Sequence, residues 1–402
     1  MTVSRAVDCV VIGGGVVGCS VTYQLTRAGL GVVLLERGAI CSGTSSACDG
    51  GLILQTKQPG LHLDLARASV AMFPRLVEEL PVDFEYRAAS AMLIIGSPDS
   101  RAAMDHFLAE QRASGLDVRL LSPAEARSLE PALEGDFEAA TYLDERSGPT
   151  DGMVNPPYLT YGFARAAREL GARIFAEADV EAIELTAGRV TAVRTRQERV
   201  PCAAVVNAAG AWAPEIGRMV GLTVPIRPRR GQIVVTECLP PTVRRFVVDA
   251  TYVALKYNPA LLSGQSGNQL PIPLAVEQTA TGSFLLGSTR EFVGYDRRTW
   301  PSSTARIVGE AARLIPALRR ARVNRTFAGL RPSTPDGLPI VGPVDEVPGF
   351  FMAAGHEGDG ISLSAITGLL VAQAVQGLPT SFSLERLALS RFGREHNPQP
   401  PH

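Results

Sequence analysis

The 402-residue chain lacks the features that mark several large protein classes. It has no CxxC pair and no His/Cys cluster at metal-ligand spacing, so no bound metal and no chain-borne iron–sulfur centre is expected. Six cysteines, at 9, 19, 41, 48, 202 and 238, stand scattered. Cys9 and Cys19 read as small buried hydrophobes, and Cys41 and Cys48 as structural filler flanking a loop. No apolar run approaches the ~18 residues that a membrane-spanning helix needs. Net charge is −1 and no basic tract is long enough for nucleic acid or an anionic membrane surface. Lysine is nearly missing: Lys57 and Lys256 stand alone among 39 basic residues, a bias that reads as genome composition. The first apolar run starts at Val7, which leaves no room for a cleaved leader; a cytoplasmic location is expected.

What is present is an ordinary soluble composition, 46% hydrophobic and 20% charged, in a chain long enough for two connected domains. Its beginning is the most specific stretch. The apolar run Val7–Ile12 feeds Gly13, Gly15 and Gly18, a GxGxxG fingerprint, and Glu36 closes a second apolar run, Val32–Leu35, 18 residues further on. Gly13 permits the strand-to-helix turn, Gly15 lets the backbone approach a pyrophosphate, and Gly18 lets the helix pack close to the strand. The N-terminus of the following helix, Val16–Ala28, offers N–H groups to phosphates, and Glu36 can accept from both hydroxyls of an adenosine ribose. Dinucleotide binding is the expectation.

Beyond Glu36 the chain enters a small-residue loop, Gly38–Gly51. A helix kinked at Pro74 is expected over Leu63–Leu80, and a strand over Ala91–Gly96. Ser122 and Glu125 form a capping box. Helix Asn155–Leu170, strand Arg173–Ala176, a hairpin of Val180–Leu185 with Arg189–Thr195, and the apolar strand Ala203–Trp212 return to the nucleotide unit. Alternation over Gln232–Glu237, Phe246–Tyr257 and Ser283–Ser288, interrupted by a helix near Ser302–Leu314, predicts a second, sheet-rich domain. Strands at Val323–Leu330, Leu338–Val341 and Phe350–Ala354 and a buried helix, Gly360–Gln376, lead back to the first.

These landmarks together resemble the FAD-dependent D-amino-acid oxidase superfamily, in the branch with glycine oxidases, sarcosine oxidase beta subunits and the flavoprotein subunits of hydrogen cyanide synthase, opine and D-hydroxyproline dehydrogenases. They are Gly13–Gly18, Glu36-Arg37, Thr44-Ser45-Ser46, Val205–Trp212, Arg229–Gln232, Gly329–Pro332 with Thr334–Pro339, and Gly355–Ile361. The resemblance spans nearly the whole chain. It implies an α/β fold: a discontinuous Rossmann-type FAD-binding domain (1–90, 145–222, 323–392) and an antiparallel-sheet substrate domain (91–144, 223–322). It implies non-covalent FAD held by Gly13, Gly15, Val16, Val17, Gly18, Glu36, Arg37, Thr44, Ser45, Ser46, Asp49, Gly50, Gly51, Val180, Ala208, Gly210 and Trp212. Gly355, His356, Glu357, Gly358, Asp359, Gly360, Ile361 and Ser362 complete that set. The final helix would point its N-terminus at the flavin N1/C2=O edge, where reduction places negative charge.

The implied reaction is oxidation of a secondary-amine or D-amino acid, D-hydroxyproline- or opine-like, to an imine by hydride transfer to flavin N5. Arg331 is the expected carboxylate grip, and His356 reads equally as a residue at the flavin edge or as a cap of the loop. No side chain stands out as a base. Tyr252, Lys256 and Tyr257, on an expected strand, fit a pocket or the core equally well. Gly358 replaces an Arg that crowds the site in glycine oxidases, which suggests a roomier pocket, and an insertion near 259–273 is a lid, a docking loop or a plain surface hairpin. The resemblance further implies partner subunits carrying a second flavin and a [2Fe–2S] centre, with an inner-membrane acceptor reached through the complex. The alternative is a stand-alone glycine, sarcosine or D-amino-acid oxidase producing hydrogen peroxide. A tRNA-modifying or redox-silent FAD protein is disfavoured by the lack of a basic surface.

Overall fold

The computed structural model describes residues 6–143, 148, 150–257 and 272–393. Val7–Ile12 is a central strand of an eight-stranded sheet, buried at every position but Asp8. Val32–Leu35 and Arg199–Asn207 flank it in parallel, and Arg173–Phe175 and Phe350–Ala354 extend the parallel set on either side. A parallel sheet needs cover on both faces, and alternate side chains supply two cores. Cys9 and Val11 pack with helices Val16–Arg27, Pro156–Glu169 and Gly360–Val375. Val10 and Ile12 pack on the other face with Val180, Ile183 and Ile216. The hairpin Val180–Thr186/Arg189–Thr195 lies at one edge.

A second eight-stranded sheet has the order Val323–Ser333, Arg227–Cys238, Ser283–Gly287, Ala275–Gln278, Val247–Asp249, Met92–Ile95, Ala139–Leu143, Val118–Leu121. It is antiparallel except where Val247–Asp249 runs parallel to Met92–Ile95. Three features differ from the sequence-based expectation. Val323–Ser333 belongs to this second sheet, paired with Arg227–Cys238 from Arg227↔Ser333 to Thr236↔Val323; the chain rejoins the first sheet only at Ile340. The expected strand Phe246–Tyr257 stops at Asp249, whose carboxylate accepts from Thr251 N–H at 2.8 Å and Thr251 Oγ1 at 2.7 Å and so turns the chain into a helix, Thr251–Tyr257. The kinked helix is two helices, Leu61–Val70 and Phe73–Glu79, because Pro74 falls in the first turn of the second, where a missing N–H costs nothing. The 259–273 insertion falls almost wholly on residues 258–271, outside the described residues.

Gly360–Val375, the closing helix, crosses Val16–Arg27 at backbone contact. Ser20 Oγ donates to the Ser364 carbonyl at 2.8 Å, and a Cβ on Gly368 would stand 2.3 Å from Ser20 Oγ and 2.9 Å from its backbone carbon. This crossing fixes where the helix N-terminus points. Gly368→Val should therefore cost ~1–3 kcal/mol through overpacking; the check is a lower denaturation midpoint with an unchanged slope.

Candidate active site

A cavity of about 450 Å³ opens where the carboxyl ends of the parallel strands (Ile12, Leu35, Ala208, Ala354) face the second sheet (Gly231, Ile233, Arg331). One end is built by the fingerprint. Gly13, at φ +114°, turns the chain so tightly that a Cβ on it would lie 2.5 Å from the Ala208 carbonyl oxygen, and a Cβ on Gly18 would lie 1.9 Å from the Gly13 oxygen. Gly15 contributes no side chain at the N-cap of Val16–Arg27; Val16 N–H meets Ser45 Oγ at 3.0 Å, and Val16 and Val17 line the cavity. Glu36 accepts from Gly14 N–H at 2.6 Å and from Gly38 N–H at 2.8 Å. Val180, Ala208, Gly210 and Arg37 complete this end, with Arg37 4.2 Å over the Trp212 ring and Trp212 stacked on Tyr295 at 5.6 Å.

At the other end stand Thr44, Asp49, Gly51, Tyr252, Arg331, His356, Glu357, Gly358, Gly360 and Ile361. Arg331 lies flat against Gly231, where a Cβ would come within 2.2 Å of Nη1. Nη1 donates to the Thr289 carbonyl at 3.2 Å and Nη2 to Ser288 Oγ. A guanidinium has five N–H donors, so these bonds orient it and leave capacity for a bidentate carboxylate. His356 faces Thr367 Oγ1 at 3.0 Å, and burial drops its pKa to about 4, so it is neutral at physiological pH.

Beneath this end lies a buried ion network. Asp359, at the N-cap position of the closing helix, lies 2.8 Å from Lys57 and 3.0 Å from His62 and is also paired with Lys256; Asp359 is 2% exposed and each partner 3%. Glu357 binds Arg229 at 3.2 Å and Arg290 at 3.3 Å. Its backbone sits at φ +50°, a conformation costing ~1–3 kcal/mol in a non-glycine residue. Burial alone would raise both carboxyls, but the cations outweigh it. Glu357 is held at about 2 by Arg290, Arg331 and Arg229, and Asp359 well below the ordinary range by Lys256, Lys57 and His62. Burial conversely lowers Arg229 to about 10. Five cations (Lys57, Lys256, Arg229, Arg290, Arg331) thus face two carboxylates at the closing-helix N-terminus, whose dipole adds to the positive field.

Six expected cofactor contacts do not line the cavity. Gly18 packs beneath Gly13, and Gly50 is buried against the Val154 carbonyl with its N–H on Glu277 at 2.7 Å. Ser46 is exposed, Gly355 sits against Thr334, Asp359 is consumed by the ion network, and Ser362 donates to the Gly51 carbonyl at 3.3 Å. Sequence reasoning named Asp359, Glu357 and Lys256 singly but missed that they pair, with one another and with Lys57, His62, Arg229 and Arg290. The signal was compositional, since both lysines of the chain end on one aspartate.

The family model for FAD dependent oxidoreductase, DAO, matches residues 8–374. The chain belongs to this family. It is similar to hydrogen cyanide synthase subunit HcnC of Pseudomonas aeruginosa, 30% identical and covering 98% of each chain. It is similar too to glycine oxidase of Geobacillus kaustophilus, 31% identical over 96% of this chain and 97% of that one. Among solved structures, L-proline dehydrogenase from P. horikoshii superposes with a TM-score of 0.86, at 26% identity over 98% of this chain and 99% of that chain. The protein is an FAD-dependent oxidoreductase of amines or amino acids. The residues present fit FAD, because the N-terminus of Val16–Arg27, whose N-cap Gly15 has no side chain, and the Gly13/Gly15 turn open onto the cavity and offer backbone N–H groups beyond the one taken by Ser45 to a pyrophosphate. No helix among the described residues is long and apolar enough to cross a membrane.

Two outcomes are expected. Glu36→Ala should lower FAD retention without unfolding the chain, read as flavin bound per folded protein; acid precipitation of the wild-type protein should release its flavin, which checks the expected non-covalent attachment. Asp359→Asn leaves two buried lysines uncompensated and should cost ~3–5 kcal/mol at neutral pH. Because the folded-state pKa of Asp359 is depressed, its contribution is present above the unfolded carboxylate value of about 4 and fades as pH falls below it. Urea midpoints should show the deficit shrinking below pH ~4.

Proposed function

We propose that the chain is the FAD subunit of a multi-subunit dehydrogenase that oxidises a secondary-amine or D-configured amino acid, D-hydroxyproline- or opine-like. The observation carrying this reading is Arg331, oriented in the cavity by Ser288 and Thr289 and standing beside Gly358. Arg331 grips the substrate carboxylate and thereby sets the Cα–H for hydride removal, which FAD supplies when bound. Gly358 leaves room for a substituent on nitrogen or carbon. The N–H groups of Gly360, Ile361 and Ser362, in the first turn of the closing helix, face the flavin N1/C2=O edge in this reading. The similarity to a protein named as a subunit of hydrogen cyanide synthase supports partner chains, which would carry a second flavin and a [2Fe–2S] centre and pass electrons onward.

A second reading, a stand-alone oxidase releasing hydrogen peroxide, is favoured by the likeness to glycine oxidase. Turnover of the isolated chain should be much faster with an artificial dye than with dissolved oxygen; rapid stoichiometric peroxide formation would instead establish the oxidase. Arg331→Lys keeps the charge but loses the planar two-point contact. It should cost ~2–4 kcal/mol in kcat/KM with FAD still bound. Unchanged kinetics would reassign Arg331 to structure.

A further inference from the structure

We propose that Asp49 takes the proton from the substrate's ammonium group while Arg331 holds its carboxylate. The inference rests on the reading of Arg331 given above and adds the group that makes the substrate nitrogen neutral. Asp49 and Arg331 line the same end of the cavity, and the loop carrying Asp49 is tied to the strand carrying Arg331. Thr44 Oγ1 donates to the Leu330 carbonyl at 2.7 Å, and the Ala47 carbonyl lies so near Gly329 that a Cβ there would stand 2.3 Å away. The segments carrying the two side chains are thus tied to each other, and both side chains line one space.

The other carboxylates of the cavity are engaged or stand away from this end: Asp179 is exposed beside Val180, at the nucleotide end. Glu36 is at the nucleotide end with its oxygens on Gly14 and Gly38, and Glu215 lies 3.9 Å from Arg37. Glu357 is locked between Arg229 and Arg290 and is too weak a base to take a proton near neutrality. Asp49 has one long hydrogen bond, from Gly51 N–H at 3.4 Å, and no ion-pair partner among the described residues. The groups that face it are Arg331, Lys57, Cys48 and Glu277. Burial raises its proton affinity above that of an exposed aspartate, and Arg331, Gly51 N–H and Lys57 only partly offset this. Glu277, behind it, is pushed to about 8 by burial and by Asp49 itself, so Glu277 is protonated at neutral pH and leaves the negative charge on Asp49.

The chemistry requires such a group. Hydride leaves the carbon only when the nitrogen lone pair can form the C=N bond, and an ammonium has no free pair. In the proposed step an N–H bond of the ammonium breaks and an O–H bond forms on Asp49. The electron pair of the adjacent C–H bond then leaves as hydride to FAD, the oxidant of the family, and an iminium remains. Asp49 loses its proton to solvent after product departs.

The test is anaerobic flavin reduction in Asp49→Asn and Asp49→Glu, with acetate binding as an amine-free carboxylate probe read by the flavin spectrum. Asp49→Asn should slow reduction ~10²–10⁴-fold near pH 7. The deficit should shrink at high pH, where the substrate amine is already neutral, with acetate affinity retained or tightened and FAD content unchanged. Asp49→Glu should recover part of the rate. An unchanged rate, or a loss that is equal at all pH values or accompanied by FAD release, would overturn the proposal. Arg331→Lys run in parallel separates the two claims: if it leaves both acetate binding and reduction intact, the reading of the site fails, whereas a loss there with Asp49→Asn unaffected removes Asp49 alone.

Discussion

The Asp359 carboxylate is the interaction on which the rest of the site depends. Asp359 stands at the N-cap position of the closing helix, and its carboxylate, making no hydrogen bond to the helix N–H groups, receives Lys57 from the segment before helix Leu61–Val70, His62 from that helix, and Lys256 from helix Thr251–Tyr257. Three separate pieces of chain, residues 57–62, the helix Thr251–Tyr257 and the start of the closing helix, meet at one buried anion. Burying such a cluster is costly, so its value lies in specifying an arrangement more than in net stability. Here it specifies where the N-terminus of the closing helix points and which helix of the second sheet's region stands beside it. Glu357, two residues earlier, fixes the preceding turn through Arg229 and Arg290 in a backbone conformation that would not persist unaided.

The consequence is a division of labour between the two sheets. The parallel sheet presents strand ends that run into small residues, Gly13 and Ala208–Gly210, and a helix whose N-cap is a glycine, a surface shaped for a long anionic cofactor. The antiparallel sheet contributes the strand Val323–Ser333, whose Arg331 reaches the same cavity from the opposite side. The loop 38–51 leaves Glu36 at the nucleotide end and delivers Asp49 and Gly51 to the other. Thr44, within it, donates to the Leu330 carbonyl and so ties the loop to the strand that carries Arg331.

Much of this was legible in the sequence because it is encoded locally. The strand, three glycines, helix and terminal glutamate of residues 7–36 are set by short-range rules, and they sit as those rules require. The Arg331 segment and the closing helix were legible through resemblance. What escaped depended on partners far apart in the chain. The aromatic and β-branched residues of 246–257 alternate like a strand, yet Asp249 caps a helix that tertiary contact through Lys256 holds in place. Val323–Ser333 looked continuous with the strands after it, but its pairing with Arg227–Cys238 is a long-range choice. The scarcity of lysine read as composition, and only the folded chain shows both lysines on Asp359.

At the end of the cavity where the flavin ring is proposed to lie, buried cations outnumber anions, and reduced FAD is expected to keep its negative charge there. The pH dependence of the flavin midpoint potential tests this directly. Two electrons taken up with one proton give a slope of about 30 mV per pH unit, and two electrons with two protons about 60 mV. The shallower slope is expected throughout pH 6–8, with steepening when Lys57 or Lys256 is replaced by Met. A slope of about 60 mV per pH unit in the unaltered protein would contradict it.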